Sequence, residues 1–316
     1  RGVLLFGGYQ WDAMSGAEIA QGHNSAFVDK QNRSFVVYHT RFSNGGEGHQ
    51  VRVHQLFLND EGWLMAAPFE FDGETITDAA IASKASIADA DIAGDYQFMR
   101  HQYGQNTKAK AFETPVNITL NADGTITGAE KGTWKRTAGT DYIHLTINDV
   151  VYRGVLVKQT IDYTNIPAIA ISALSSSSGS LTMGQNNFTY QQEVWAVKAD
   201  AKAAIKYTLS KMTLPFSDGA TLNAAPSLPA QGKMGANISW KSSDTSILTD
   251  EGKVKGKGKV TMTMTISKDE YEYVKDYSLN IDAEAEETTP VYYPVSALKN
   301  TTSAWWTNFS ADYKLQ

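Results

Sequence analysis

The sequence predicts an all-β protein built from several modules, and three observations carry that expectation. Aromatic and β-branched residues dominate the apolar segments. Gly, Asn and Asp recur at short intervals between them, as turns require. Apolar residues with the 3.6-residue helical period are rare.

A chain of 316 residues accommodates two or three domains at about 100–150 residues each. Its 42% hydrophobic content is enough for real cores, and 20% charged residues is ordinary for a water-exposed protein. The net charge of −6 argues against a nucleic-acid partner, which needs a basic face to displace counterions. No run approaches the ~18 apolar residues of a membrane-spanning helix. Cysteine is absent, which excludes a disulfide framework, a thiolate metal site and a cysteine nucleophile. A cysteine-free chain fits a bacterial secreted protein, and many cytosolic proteins share that composition; the expected location is secreted or at the bacterial cell surface. A monomer is expected.

Residues 1–75 read as strands with tight polar connections. Val3-Leu-Leu-Phe6 comes first, followed by Ser25–Asp29, Ser34–Phe42, Gln50–Leu58 and Trp63–Ala67. The turns between the later strands are Asp29-Lys-Gln-Asn32, Asn44-Gly-Gly46 and Asn59-Asp-Glu-Gly62. Up-and-down strands of this length form either a propeller blade or part of a sandwich. A four-stranded meander cannot bury both faces and both edges alone, so the segment reads as the last part of a larger domain. Residues 76–93 are Ala-rich and predict a short helix or a linker.

From Gly94 to Lys198 strands recur every 8–12 residues, as in a small closed barrel or sandwich. A flexible loop is expected at Ser175–Gly179, and Ala199–Lys206 has helix-favouring composition. A third module is expected over 207–283, with strands at Asn237–Trp240, Val260–Ile266 and Tyr277–Ile281. Lys253, Lys255, Lys257 and Lys259 alternate there, which reads as an edge strand guarded by lysines, with a contact to an anionic polymer as the alternative. Glu284–Pro290 is a linker by composition. Residues 289–316, with the cluster Ser303-Ala-Trp305-Trp306-Thr-Asn-Phe309, are too short to fold alone. They read as a tail or the start of a further module, and an aromatic sugar-stacking platform is the sharper alternative.

Four of the six histidines, His23, His39, His49 and His54, fall in the first 75 residues. A zinc site among the last three is conceivable, but no two share a tight ligand spacing. Scattered strand histidines more often pack or hydrogen-bond. Arg41 and Arg52 are expected to pair with carboxylates of neighbouring strands.

Three motifs in order, Gly22-His-Asn-Ser-Ala-Phe27, Tyr38-His-Thr-Arg-Phe42 and Gly46-Glu-Gly-His-Gln-Val-Arg-Val-His-Gln-Leu-Phe57, closely resemble the last blade of the endo-1,5-α-L-arabinanases of glycoside hydrolase family 43. The catalytic domain of that family is a five-bladed β-propeller. Gly94-Asp-Tyr96, Leu120-Asn-Ala-Asp-Gly124 and Tyr152-Arg-Gly-Val155 resemble the β-barrel that follows the propeller. Trp240-Lys-Ser-Ser-Asp244 and Asp250-Glu-Gly-Lys-Val254 resemble bacterial immunoglobulin-like modules. The resemblance therefore implies a final propeller blade, a small barrel and an immunoglobulin-like sandwich.

The same resemblance implies that His23 coordinates a calcium or similar ion near the propeller axis. A hard cation prefers oxygen ligands, so a lone imidazole must be oriented by its neighbours. The implied activity is inverting hydrolysis of α-1,5-arabinan, a plant cell-wall polysaccharide. Inverting glycosidases need two carboxyl groups about 6.5–9.5 Å apart. The resemblance places these acids in earlier blades, so the 316 residues are expected to lack the catalytic pair. Glu18, in the loop before Gly22, is the one acid here with any candidacy. A non-catalytic carbohydrate-binding or cell-surface adhesion protein is the alternative function, and cleavage of xylosidic or galactosidic linkages is a third.

Overall fold

The computed structural model describes residues 3–46, 48–101, 112–176, 181–183, 188–285, 292–293 and 313–314. It divides into two compact units. One comprises Arg1–Thr213, Pro229–Ser239 and Thr265–Val274; the other comprises Leu214–Leu228, Trp240–Met264 and Lys275–Gln316.

The first unit opens with an antiparallel four-stranded sheet in chain order. Its strands are β1 (Glu18–Val28), β2 (Ser34–Phe42), β3 (His49–Leu58) and β4 (Leu64–Ala66). Side chains close the turns. Asp29 Oδ1 accepts from the backbone N–H groups of Gln31 and Arg33, and Asn59 Oδ1 from those of Glu61 and Trp63. Such side-chain bonds let Asp and Asn end a strand. The strand expected at Val3–Phe6 does not form, and only Leu4 makes an isolated bridge, to Gln192. Val3, Leu5 and Phe6 instead pack against the neighbouring apolar core. Burial of their side chains, and not a ladder, fixes this segment.

Two short helices follow, α1 (Asp78–Ser83), capped by Thr77, and α2 (Asp89–Ile92). The next strands are β5 (Gly94–Arg100), β6 (Val116–Leu120), β7 (Thr125–Gly128), β8 (Gly132–Arg136), β9 (Tyr142–Ile147), β10 (Val150–Thr160) and β11 (Pro167–Ser175). A two-stranded excursion, β12 (Leu181–Met183) and β13 (Phe188–Tyr190), precedes β14 (Glu193–Ala199). Eight of these strands close a barrel in the order β10-β11-β14-β5-β6-β7-β8-β9, one of the two forms the strand spacing allowed and the one the resemblance implied. Gly154 marks a close approach between strands, because a Cβ there would lie 2.3 Å from the Ser172 carbonyl oxygen. Most of the loop expected at Ser175–Gly179 lies outside the described residues.

Alternation along the barrel strands separates two cores. Tyr96, Phe98, Leu145, Leu156, Ile171 and Val194 point inward and meet Ile87 and Ile92 from the helical segment. Residues one position out of phase, including Met99, Val155, Ala170 and Trp195, point outward and are equally buried. They pack against Tyr9, Trp11, Val36, Tyr38, Leu56, Phe57 and Met65, so the N-terminal sheet lies on the outer wall of the barrel. The barrel interior is thus a packed core and not a ligand cup.

Helix α3 (Ala201–Lys211) runs past the Lys206 boundary expected from composition. It is capped by Asp200 Oδ1, which accepts from Ala203 N–H at 2.8 Å. The remaining strands are β15 (Thr221–Leu222), β16 (Asn237–Ser242), β17 (Gly258–Lys268) and β18 (Tyr271–Ile281). They form one sheet in the order β15-β18-β17-β16, with β15 parallel to β18. A second, facing sheet is absent among the described residues, so the expected sandwich is here a single sheet.

The lysine-guarded edge also needs correcting. Lys253, Lys255 and Lys257 precede β17, and β17 has a neighbour on each side. Lys257 Nζ instead pairs with Asp282 at 3.4 Å and Glu284 at 2.6 Å. Beyond these strands, β19 (Tyr292–Tyr293) pairs antiparallel with β20 (Tyr313–Lys314). The aromatic cluster at 303–309 lies outside the described residues.

Candidate functional site

The exposed face of the N-terminal sheet carries a row of imidazoles. His23 sits where β1 is irregular: its register against β2 shifts between Ile19 and Gly22 and again between Gly22 and Ser25. Ala20 (φ 55°) and His23 (φ 44°) both adopt the left-handed region, which non-glycine residues enter only when their surroundings hold them. Bulges of this kind re-aim a side chain. The His23 ring meets His39 edge-on at 4.7 Å between centroids, and His39 lies 4.6 Å from His49. Arg41 Nε donates to His49 Nε2 at 2.9 Å. Partial desolvation, then the charges of His23, His49 and Arg41, hold the His39 imidazole below its ordinary range.

Of the expected site residues, His23, His39 and His49 come together. His54 does not join them, being fully buried on the opposite face. There its Nδ1 meets the Ala67 carbonyl at 2.7 Å and its Nε2 meets the Tyr38 hydroxyl at 3.1 Å. Burial pushes its imidazole down to about 4.

Glu18 lies in the same interior, only 1% exposed. One carboxylate oxygen accepts from Arg52 Nε at 3.2 Å and the other from the Tyr38 hydroxyl at 3.1 Å. Arg52 also meets Glu70 at 2.9 Å and donates to Gln50 and Tyr163. Burial raises the Glu18 carboxyl, with Arg52 and Tyr38 opposing it. These contacts give Glu18 a structural position, closed to solvent and engaged on both oxygens. Arg52 pairs with carboxylates as its sequence setting suggested, and Arg41 donates to His49.

Several buried or half-buried polar groups escaped the sequence reading. Asp162 Oδ1 accepts from Glu70 N–H at 3.1 Å, and burial beside Glu70 pushes its carboxyl up to about 8. Glu193 is fully buried. Its Oε1 accepts from Ala66 N–H, the Ser172 hydroxyl and Trp195 Nε1. Burial raises its carboxyl well above the usual range. His101 packs on Trp195 at 4.1 Å between ring centroids and is held down to about 3 by burial. The one available signal was Glu193 inside an otherwise apolar strand.

The ion expected at His23 can be tested against these residues. Among the described residues no group of three or more His, Cys, Asp or Glu is arranged to hold a metal ion. His23 can offer a single exposed imidazole, with His39 beside it. That fits attachment through one protein ligand, with water or other groups completing the shell, and it does not fit an enclosed site.

Comparisons with known proteins agree with this architecture. Residues 68–184 match the model of the C-terminal lipocalin-like domain of glycoside hydrolase family 43, and residues 199–284 match that of an atrophied bacterial Ig domain. The chain is 43% identical over 146 residues to an extracellular endo-α-(1→5)-L-arabinanase of Thermotoga petrophila, covering 45% of this chain and 28% of that protein. It is 36% identical over 180 residues to the extracellular endo-α-(1→5)-L-arabinanase 2 of Bacillus subtilis, covering 56% and 36%. The glycoside hydrolase family 43 YxiA protein of Bacillus licheniformis superposes with a TM-score of 0.51 at 33% identity, over 62% of this chain and 38% of that one. The chain thus spans about a third of the curated relatives it matches. It carries the C-terminal lipocalin-like domain of glycoside hydrolase family 43, joined to an atrophied bacterial Ig domain.

Proposed function

We propose that this chain is the C-terminal portion of a secreted glycoside hydrolase that cleaves α-1,5-arabinan with inversion. The observation that carries the reading is its 43% identity, over 146 residues, to an extracellular arabinanase. The meander β1–β4, with strands in chain order, suits the last blade of a propeller.

In this reading the catalytic carboxyl pair is supplied by chain outside these 316 residues. The acids of the N-terminal sheet support that division. Glu18 is sequestered by Arg52 and Tyr38, and Asp29 is engaged in a turn with Arg33. His23 would hold a calcium or similar ion, which supplies a fixed positive charge beside the cleft. The bulge in β1 aims the imidazole, and the His39 ring edge limits its rotation.

The test is His23→Ala in a full-length parent enzyme assayed on linear arabinan. Turnover should fall at least tenfold, the scale of a lost metal contact, while the melting temperature moves little. Unchanged activity with normal metal content would remove His23 from the site. The 316-residue chain alone should release no arabino-oligosaccharides, and measurable release would overturn the placement of the acids.

A further inference from the structure

A second feature of the barrel unit lies apart from the histidine row. A groove of about 1120 Å³ is lined by the Asp72–Glu74 turn, the end of α2, the β6–β7 turn, the ends of β10, β11 and β14, and the tip between β17 and β18. Its volume exceeds the roughly 300–1,000 Å³ of ordinary small-molecule pockets. We propose that this groove binds a segment of neutral polysaccharide, a role that rests on the glycan-hydrolase reading above and adds a second contact to it.

The chemistry of the lining narrows the ligand. Seven acidic side chains against two lysines repel a polyanion such as nucleic acid. No metal-holding group of three His, Cys, Asp or Glu occurs among the described residues. Four of the acids are engaged within the chain. Asp95 accepts from the Thr119 hydroxyl, Asp269 from Asp95 N–H, Glu74 from Asp72 N–H and Asp200 from Ala203 N–H. Lys198 Nζ is likewise held, by the carbonyls of Asp91 and Ala93.

Four charged side chains remain without a hydrogen bond or ion pair among the described residues: Asp72, Asp91, Glu270 and Lys158. They offer acceptors and a donor together, the complement of a polyhydroxylated chain whose hydroxyls both donate and accept. The Tyr271 ring at the margin is 36% exposed and has Lys202 Nζ at 4.5 Å from its centroid. An amphipathic phenol of this kind presents an apolar face to sugar C–H groups and a hydroxyl to water. A basic peptide is the competing occupant, favoured by the net acidity and opposed by both lysines.

Affinity electrophoresis of the 316-residue chain separates these outcomes, with gels containing linear arabinan, xylan or galactan and oligolysine as a soluble competitor. Retardation by arabinan is expected. Tyr271→Ala and Lys158→Ala should each raise the dissociation constant about fivefold or more without moving the melting temperature, since both side chains are exposed. Retardation by xylan or galactan but not arabinan would support the groove and count against the arabinan reading. Failure on all three polymers, retardation that both variants retain, or displacement by oligolysine at lower concentration than by free sugar would overturn the groove. The hydrolase reading would then still stand or fall on the parent assay.

Discussion

The two halves of the barrel wall obey different rules. Strands β10, β11, β14 and β5 are buried on both faces, inward against the barrel core and outward against the N-terminal sheet. Strands β6 to β9 bury mainly one face, so that β9 alternates buried and half-buried residues along its length. The covered wall accordingly reads as near-continuous apolar sequence, Ala168-Ile-Ala-Ile-Ser-Ala-Leu174 and Val194-Trp-Ala-Val197, whereas the open wall reads Tyr142-Ile-His-Leu-Thr-Ile147. A run without alternation inside a barrel is therefore the imprint of whatever lies against its outside.

The sharpest way to break this comparison is Trp195→Ala. The Trp195 ring contacts Phe6, Tyr9, Trp11, His54 and His101, and its Nε1 donates to the Ala66 carbonyl at 3.0 Å. Removing it should cost about 3–5 kcal/mol, the range for large aromatic truncations in cores. Thr146→Ala, outward on the open wall, should stay within about 0.5 kcal/mol. Denaturant melts of the two variants check this. Equal losses would mean that the N-terminal sheet adds nothing to the barrel beyond its own fold.

Much of this architecture was legible in the residues. Strand spacing left a closed barrel or a sandwich, between which the family resemblance chose the barrel, and turn residues such as Asp29 and Asn59 gave the meander ends, because both signals are local. The unrecognised features are those in which distant segments meet. Val3–Phe6 has strand composition, yet its side chains are used in a core drawn from segments as distant in sequence as Trp195. Asp162 looks like an ordinary turn acid until Glu70 packs beside it, whereas Glu193 shows itself only as an acid inside an apolar strand. Within the histidine cluster, membership of His23, His39 and His49 follows from register, since Gly22 pairs with His39 and Arg41 with His49. Sequence spacing alone could not separate them from His54. One residue out of phase, His54 points to the opposite face.

Covering polar groups also gives the interface a pH signature that the barrel's own core lacks. Burial raises Asp162 to about 8 and Glu193 well above the usual carboxyl range, so both favour the protonated form in the fold. The Asp162 contribution is fully present below about pH 4 and is lost as pH rises toward 8, and Glu193 acts in the same direction. His54 and His101, depressed to about 4 and about 3, contribute above about pH 6.5 and lose that contribution as pH falls. Between about pH 4.5 and 6.5 the acids and the histidines oppose each other. Above pH 6.5 only the acids titrate, and stability should decline. Asp162→Asn keeps an oxygen for Glu70 N–H and removes one titrating group, so the decline should lessen by up to about 1.4 kcal/mol per pH unit. Melting curves at pH 6.5 and 8 decide it. Parallel declines in the two proteins would show that Asp162 does not carry the slope.

A small effect is expected where the sheet and the barrel meet through charge. Asp60, in the β3–β4 turn, accepts from His144 Nε2 at 2.7 Å and from Arg153 at 2.9 Å, and its neighbour Glu61 pairs with Arg153 Nε at 2.9 Å. All four side chains are partly exposed, so water screens the pairs and competes for them. Asp60→Ala should therefore cost no more than about 1 kcal/mol, the usual ceiling for such ion pairs, and less still in high salt. Arg153 keeps Glu61 in that variant, which limits the loss further. A loss approaching that of Trp195→Ala would reverse the order argued above. Attachment of the N-terminal sheet would then rest on ions at its rim, and the unbroken apolar runs of the covered wall would need another cause.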